Sequence, residues 1–129
     1  MLDIKKVHHV AIIASDYEKS KEFYNKILGF KILKETYRKN RDSYKLDLLV
    51  DGGTQIELFS FPNPPKRVTN PEATGLRHLA FEVGNIDSSV RYLESKGISV
   101  EPIRIDEITG KRFTFFKDPD GLPLELYEG

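Results

Sequence analysis

The chain has 129 residues, 39% hydrophobic and 31% charged, with 20 basic and 20 acidic side chains and no cysteine. That length suits one domain with a real core, and the balance is that of a globular chain rather than a disordered one. Zero formal net charge supplies no long-range field to gather nucleic acid or an anionic membrane, and without cysteine there is no disulfide, thiolate zinc site or Cys nucleophile.

The opening Met1-Leu2-Asp3-Ile4-Lys5-Lys6 lacks the apolar stretch of a signal peptide. No apolar run approaches the roughly 20 residues that span a bilayer, so a cytoplasmic protein is expected. The first strand is His9-Val10-Ala11-Ile12-Ile13-Ala14. A helix should follow from Ser15 or Asp16, both able to cap free amides. Its stripe of Tyr17, Phe23, Tyr24, Ile27 and Leu28 has helical spacing, and Gly29 ends it. Strands are expected over residues 30–36, 45–50 and 55–61, with Asp51-Gly52-Gly53 as a hairpin turn. The proline-rich stretch from Phe61 to Gly75 cannot continue a ladder and reads as a linker.

The same order then repeats. A strand opens at His78-Leu79-Ala80-Phe81, and a helix follows from Asn85 or Asp87 with the stripe Ile86, Val90, Tyr92 and Leu93, ending at Gly97. Strands are expected over 99–105, 112–116 and 122–127, with Asp118-Pro119-Asp120-Gly121 as the last turn. Each half reads β-α-β-β-β. The expected fold is α+β, with tandem βαβββ modules forming curled sheets: module one over about 5–61, a linker over about 62–75, module two over about 76–129.

The duplication carries chemistry with it. His9 to Glu57 is 57 − 9 = 48 positions and His78 to Glu125 is 125 − 78 = 47, one residue being missing before Gly97. Side chains alternate along a strand, so His9 shares a face with Ala11 and Ile13, and Glu57 with Phe59 and Phe61. An unpaired carboxylate in Gln55-Ile56-Glu57-Leu58-Phe59 or Leu122-Pro123-Leu124-Glu125-Leu126 is costly. Two imidazoles and two carboxylates at equivalent places point instead to one metal site about a pseudo-twofold axis. His8 has no counterpart, since Arg77 stands there, and is read as structural and facing away from His9. Lys111 and Arg112 are candidates to hold an anionic group, while Arg38, Lys39 and Arg41 read as surface loop.

In these residues the chain resembles the vicinal oxygen chelate superfamily, which includes glyoxalase I, bleomycin-resistance proteins and extradiol dioxygenases. The resemblance runs through His-Val-Ala-Ile with Asp16, Ser20-Lys21-Glu22-Phe23-Tyr24, Leu28-Gly29-Phe30, Arg77-His78-Leu79-Ala80-Phe81 and Phe115-Phe116-Lys117-Asp118-Pro119-Asp120-Gly121 leading to Glu125. It implies that His9, Glu57, His78 and Glu125 bind one divalent ion per site (Ni, Co, Zn or Mn). It also implies a homodimer with the site at or near the subunit interface. Fosfomycin enzymes and dioxygenases typically lack a carboxylate at the place of Glu57, the epimerase has Gln there, and bleomycin-binding members lack the set. Keeping both acids is most similar to glyoxalase I.

That likeness implies a metal-dependent lyase or isomerase working through an enediolate on an α-hydroxycarbonyl thiol adduct. Glu125 is then the base and Glu57 the second proton carrier, with Phe59, Phe61 and Phe115 lining an aromatic pocket. Where glutathione-using enzymes carry Arg, Asn and Arg, this chain has Ile13, Phe61 and Thr74, which points to another thiol. An epimerase or thiol transferase using the same chelation, and a non-catalytic small-molecule binding protein, are the alternatives.

Overall fold

Ile12, Ala14, Leu46, Leu48, Ile56 and Leu58 are all buried, and each is flanked in its strand by side chains of the opposite face. That period of two is what builds the first sheet. The structure is a computed structural model describing residues 1–129, and the chain forms two units, Met1–Lys66 and Arg67–Gly129. No helix is long and apolar enough to cross a membrane.

In the first unit, β1 (His9–Ala14), β2 (Lys31–Arg38), β3 (Ser43–Leu49) and β4 (Gln55–Ser60) form a curled sheet in the order β1-β4-β3-β2. β1 runs parallel to β4 while the other pairs are antiparallel. Asp16 caps α1 (Tyr17–Glu22), its Oδ1 accepting from the Lys19 amide at 3.2 Å. Tyr17, Ser20, Phe23 and Tyr24 are buried, so this helical segment closes the apolar face of the sheet. The Tyr17 hydroxyl donates to Glu35 Oε2 (2.5 Å) and Lys21 Nζ donates to the same oxygen (2.9 Å), tying the helix to β2.

Those two bonds, from Tyr17 first and Lys21 second, hold the Glu35 carboxyl below its ordinary range, while burial and then the bond to Glu35 push Tyr17 upward. A carboxylate with a lowered folded pKa contributes stability above its unfolded pKa and loses that contribution as pH falls through the folded value. Glu35→Gln should therefore be less stable than the parent near neutrality, and the gap should close below roughly pH 4. Urea midpoints across pH 3–7 read this directly; a gap that widened in acid would contradict it.

The second unit repeats the plan. β5 (Leu79–Val83), β6 (Arg104–Ile105), β7 (Arg112–Lys117) and β8 (Pro123–Glu128) lie in the order β5-β8-β7-β6. Its helix α2 (Ile86–Ser95) is capped by Asn85, whose side chain accepts from the Ser88 amide at 3.0 Å. Ile86, Leu93, Phe116, Leu124 and Leu126 make its core. Asp118, 6% exposed, locks the last turn by accepting at Oδ1 from the amides of Asp120 (2.8 Å) and Leu122 (2.9 Å).

Two expectations are revised. Of the strand expected over 99–105, only Arg104–Ile105 joins the sheet. Pro102 has no amide to give a ladder, and the preceding chain is tied instead through Glu101, whose amide donates to the Phe115 carbonyl (2.9 Å). Its carbonyl accepts from Thr114 Oγ1 (2.6 Å). In the other half β2 runs on to Arg38, which brings a residue read as loop into the sheet.

The extra residue of the first half also has a structural home. After α1 the chain makes a π-helical turn over Phe23–Ile27, closed by the Leu28 amide on the Phe23 carbonyl at 2.9 Å. A π turn takes up one added residue within a helix. Both helices start eight positions after their histidine (17 − 9 and 86 − 78), yet Gly29 follows His9 by 20 and Gly97 follows His78 by 19.

Candidate metal centre

Each unit sets its histidine and its glutamate by the same register. Glu57 on β4 lies opposite Ala11 on β1, and Glu125 on β8 lies opposite Ala80 on β5. In both cases the histidine stands two residues before that alanine, on the same face. The small alanine side chain leaves the carboxylate room to lean toward the imidazole. His9 Nε2 sits 3.4 Å from Glu57 Oε2, and His78 Nε2 sits 3.0 Å from Glu125 Oε1. The carboxylates are the more enclosed partners, Glu57 and Glu125 being 14% and 12% exposed.

The donor set and its spacing fit a divalent cation. Two ligand atoms on adjacent positions around one ion, with bonds near 2.1 Å, stand about 3 Å apart. The observed separations lie at that value or slightly above it. Within neither unit does a third His, Asp or Glu complete such a group.

The neighbours of the two pairs differ. Asp47 on β3 faces Glu57, and Lys45 Nζ lies 3.4 Å from Asp47 and 3.8 Å from Glu57. On the other side Phe115 takes the place of Asp47, facing Glu125 and packing edge-on against His78 with ring centroids 5.0 Å apart. One carboxylate is therefore tethered by a lysine and the other is walled by aromatic carbon.

The outer contacts of the imidazoles differ as well. His8 does not face away: its Nδ1 lies 3.0 Å from Nδ1 of His9. Nδ1–H of His9 donated to His8 leaves Nε2 with its lone pair toward Glu57, the form a metal ligand needs. Arg77 Nη1 reaches Nδ1 of His78 at 3.2 Å. Guanidinium only donates, so Nδ1 of His78 is the acceptor of that contact.

Of the expected substrate contacts, Phe59 and Phe61 stack with centroids 6.0 Å apart on the Glu57 face, and Phe115 lies beside Glu125. Arg112 lies elsewhere. It shares the parity of Thr114 and Phe116, the helix side of its sheet, where its guanidinium bonds Asp87 (2.9 Å) and Glu128 (2.8 Å). Both carboxylates hold the guanidinium charged, and the arginine holds Glu128 below the ordinary range. This is an ion network joining α2 to β8. Lys111 is exposed beside the 106–110 turn.

Sequence reading missed Lys45, Asp47 and Arg38 on the first ligand-bearing face, and Phe113 and Arg104 on the second. The signal for Lys45 and Asp47 was present, since they alternate with buried Leu46 and Leu48.

The family model for the Glyoxalase/Bleomycin resistance protein/Dioxygenase superfamily matches residues 6–126. The chain belongs to this superfamily. Among its relatives is YwkD of Bacillus subtilis (strain 168), 66% identical over 97% of this chain and 98% of that protein. A glyoxalase family protein from Enterococcus faecalis has the same fold, with TM-score 0.91 and 49% identity over 98% of this chain and all of that one. More distant members of the superfamily are named for their activities. They include a 2-epi-5-epi-valiolone epimerase of Actinomyces sp (29% identical) and the Staphylococcus saprophyticus metallothiol transferase FosB (29%). A Schizosaccharomyces pombe lactoylglutathione lyase is 30% identical, and this superfamily member spans 46% of it.

Proposed function

We propose that this protein is a metal-dependent lyase or isomerase of the glyoxalase I type, acting on an α-hydroxycarbonyl thiol adduct. The observation that carries the reading is the repeated His–Glu pair, set in both units by one strand register and spaced for neighbouring ligands of one ion. His9, Glu57, His78 and Glu125 are the four ligands, and a homodimer with its sites at the subunit interface brings the pairs together. The ion is Ni²⁺, Co²⁺, Zn²⁺ or Mn²⁺, as nitrogen and oxygen donors without thiolate favour. The distant likeness to a lactoylglutathione lyase supports the reaction type.

When bound, the ion supplies Lewis-acid stabilisation for charge developing on adjacent substrate oxygens. The rest falls to the chain's own side chains. Glu125, faced by Phe115 and bonded only to His78, takes the α-proton at its carboxylate oxygen and returns it to the neighbouring carbon. Glu57, tethered by Lys45, moves the substrate's hydroxyl proton from one of the two adjacent oxygens to the other. Phe59, Phe61 and Phe115 shield the reacting carbons from water.

The test is turnover of the metal-loaded protein on hemithioacetals formed from methylglyoxal and a panel of thiols that includes glutathione. Product from at least one thiol is expected, with Glu125→Gln slower by roughly 10²–10⁴-fold. Stoichiometric metal with no product from any thiol would overturn the lyase reading and favour a transferase or a binding module.

A further inference from the structure

The ligand-bearing face of the first unit holds two arginines without a counter-charge. Arg38, at the end of β2, lays its guanidinium over Phe59 (4.8 Å from the ring centroid) and Phe61 (5.6 Å), and Arg41 lies over Phe61 at 5.4 Å. Arg38 gives one bond from Nη2, to Ser43 Oγ at 2.8 Å, while its Nε is buried with no partner. Arg77, Arg104 and Arg112 meet carboxylates; Arg38 and Arg41 meet none, and unlike Arg67, which bonds Thr69 and two carbonyls, they lie over the aromatic rings of the ligand-bearing face. A half-buried guanidinium with free donors and a fixed planar orientation is suited to bidentate recognition of an oxyanion.

Position makes the arrangement informative. Glu57 and Phe59 follow one another along one face of β4, a step of roughly 7 Å, and Phe61, just past the end of that strand, stacks on Phe59 with ring centroids 6.0 Å apart. The guanidiniums therefore stand beyond the Glu57 carboxylate, across a short aromatic floor.

We propose that Arg38 and Arg41, on the floor of Phe59 and Phe61, form an anion-binding subsite. It takes a carboxylate or phosphate borne by the substrate roughly 7–13 Å from its two chelating oxygens. The inference rests on the metal centre proposed above and adds the class of molecule turned over there: a vicinal-oxygen compound with an anionic tail.

Three hydroxamates with a five-methylene chain separate the possibilities, one ending in methyl, one in carboxylate and one in phosphonate. All three chelate through adjacent oxygens. Calorimetric titration of the zinc-loaded protein should show at least one anionic compound binding about 10-fold tighter than the methyl compound, and the preferred tail tells carboxylate from phosphate. Arg38→Met and Arg41→Met should erase the preference while leaving affinity for the methyl compound unchanged, and Arg38→Lys should restore part of it. Equal affinity of all three compounds for the wild-type protein overturns the subsite and leaves the metal centre standing. If no zinc is retained, the metal reading fails, and heptanedioate titrated into the metal-free protein decides the subsite. Shifts of the Phe59 and Phe61 ring resonances that vanish in Arg38→Met support it; their absence from the wild-type spectrum overturns it.

Discussion

His78→Ala is expected to leave a folded protein that no longer retains a stoichiometric divalent ion. On the proposed function, the wild type should hold one ion per four-ligand site. Truncation removes one ligand and frees Glu125 of its only ion-pair partner. Loss of a group outside the ligand shell already costs roughly 10–100-fold in metal affinity, so loss of a ligand costs more, and His9→Ala should behave alike. His8→Ala, acting only through the Nδ1 contact to His9, should fall within the smaller range. Stability reports the same event. At a metal concentration of about 100 Kd, binding adds about 2.7 kcal/mol, a rise in Tm on the order of 10 °C for a chain of this size. That rise should appear on adding Zn²⁺ or Ni²⁺ to the wild type and disappear on chelation. A wild type that binds no ion, or variants that bind it as tightly, would remove the basis of every enzymatic reading.

The second large effect is expected in the core. Leu58 and Leu124 are both 0% exposed and sit on the strands that carry the two glutamates, one residue from each. Leu58→Ala removes buried methyl groups and leaves a cavity, at a cost of about 2–5 kcal/mol, so Tm should drop by roughly 8–20 °C. Ile13→Ala is the control. Ile13 is 53% exposed on the ligand-bearing face, and its truncation should change stability by no more than about 0.5 kcal/mol. Thermal unfolding of the metal-free protein separates the two; comparable losses would mean that the faces of β1 are assigned the wrong way round.

Much of this architecture is legible in the residues because each half writes its signals locally. Asp16 and Asn85 mark helix starts, Gly29 and Gly97 mark their ends, and alternation assigns faces without knowledge of the partner strand. The His–Glu pairs stand out because duplication repeats them. Arg38 does not stand out, because its meaning depends on lying across two strands from Phe59, a matter of long-range register that no local pattern encodes. For Arg112 the face is legible, since alternation sets it opposite Phe115, but its partners Asp87 and Glu128, 25 and 16 positions away, are not. The short β6 reflects a local rule outweighed, since Pro102 interrupts a stretch whose apolar residues otherwise suit a strand.

The π turn at Phe23–Ile27 has an evolutionary corollary. A single-residue insertion within a strand turns every later side chain to the opposite face, and between His9 and Glu57 that would send the acid into the apolar interior. An insertion absorbed as one wider coil of a helix lengthens the gene product while leaving the pleat beyond it in phase. Twin halves of unequal length can thus diverge by indel and still present the same donor atoms, provided the change falls where a helix, and not a ladder, does the counting.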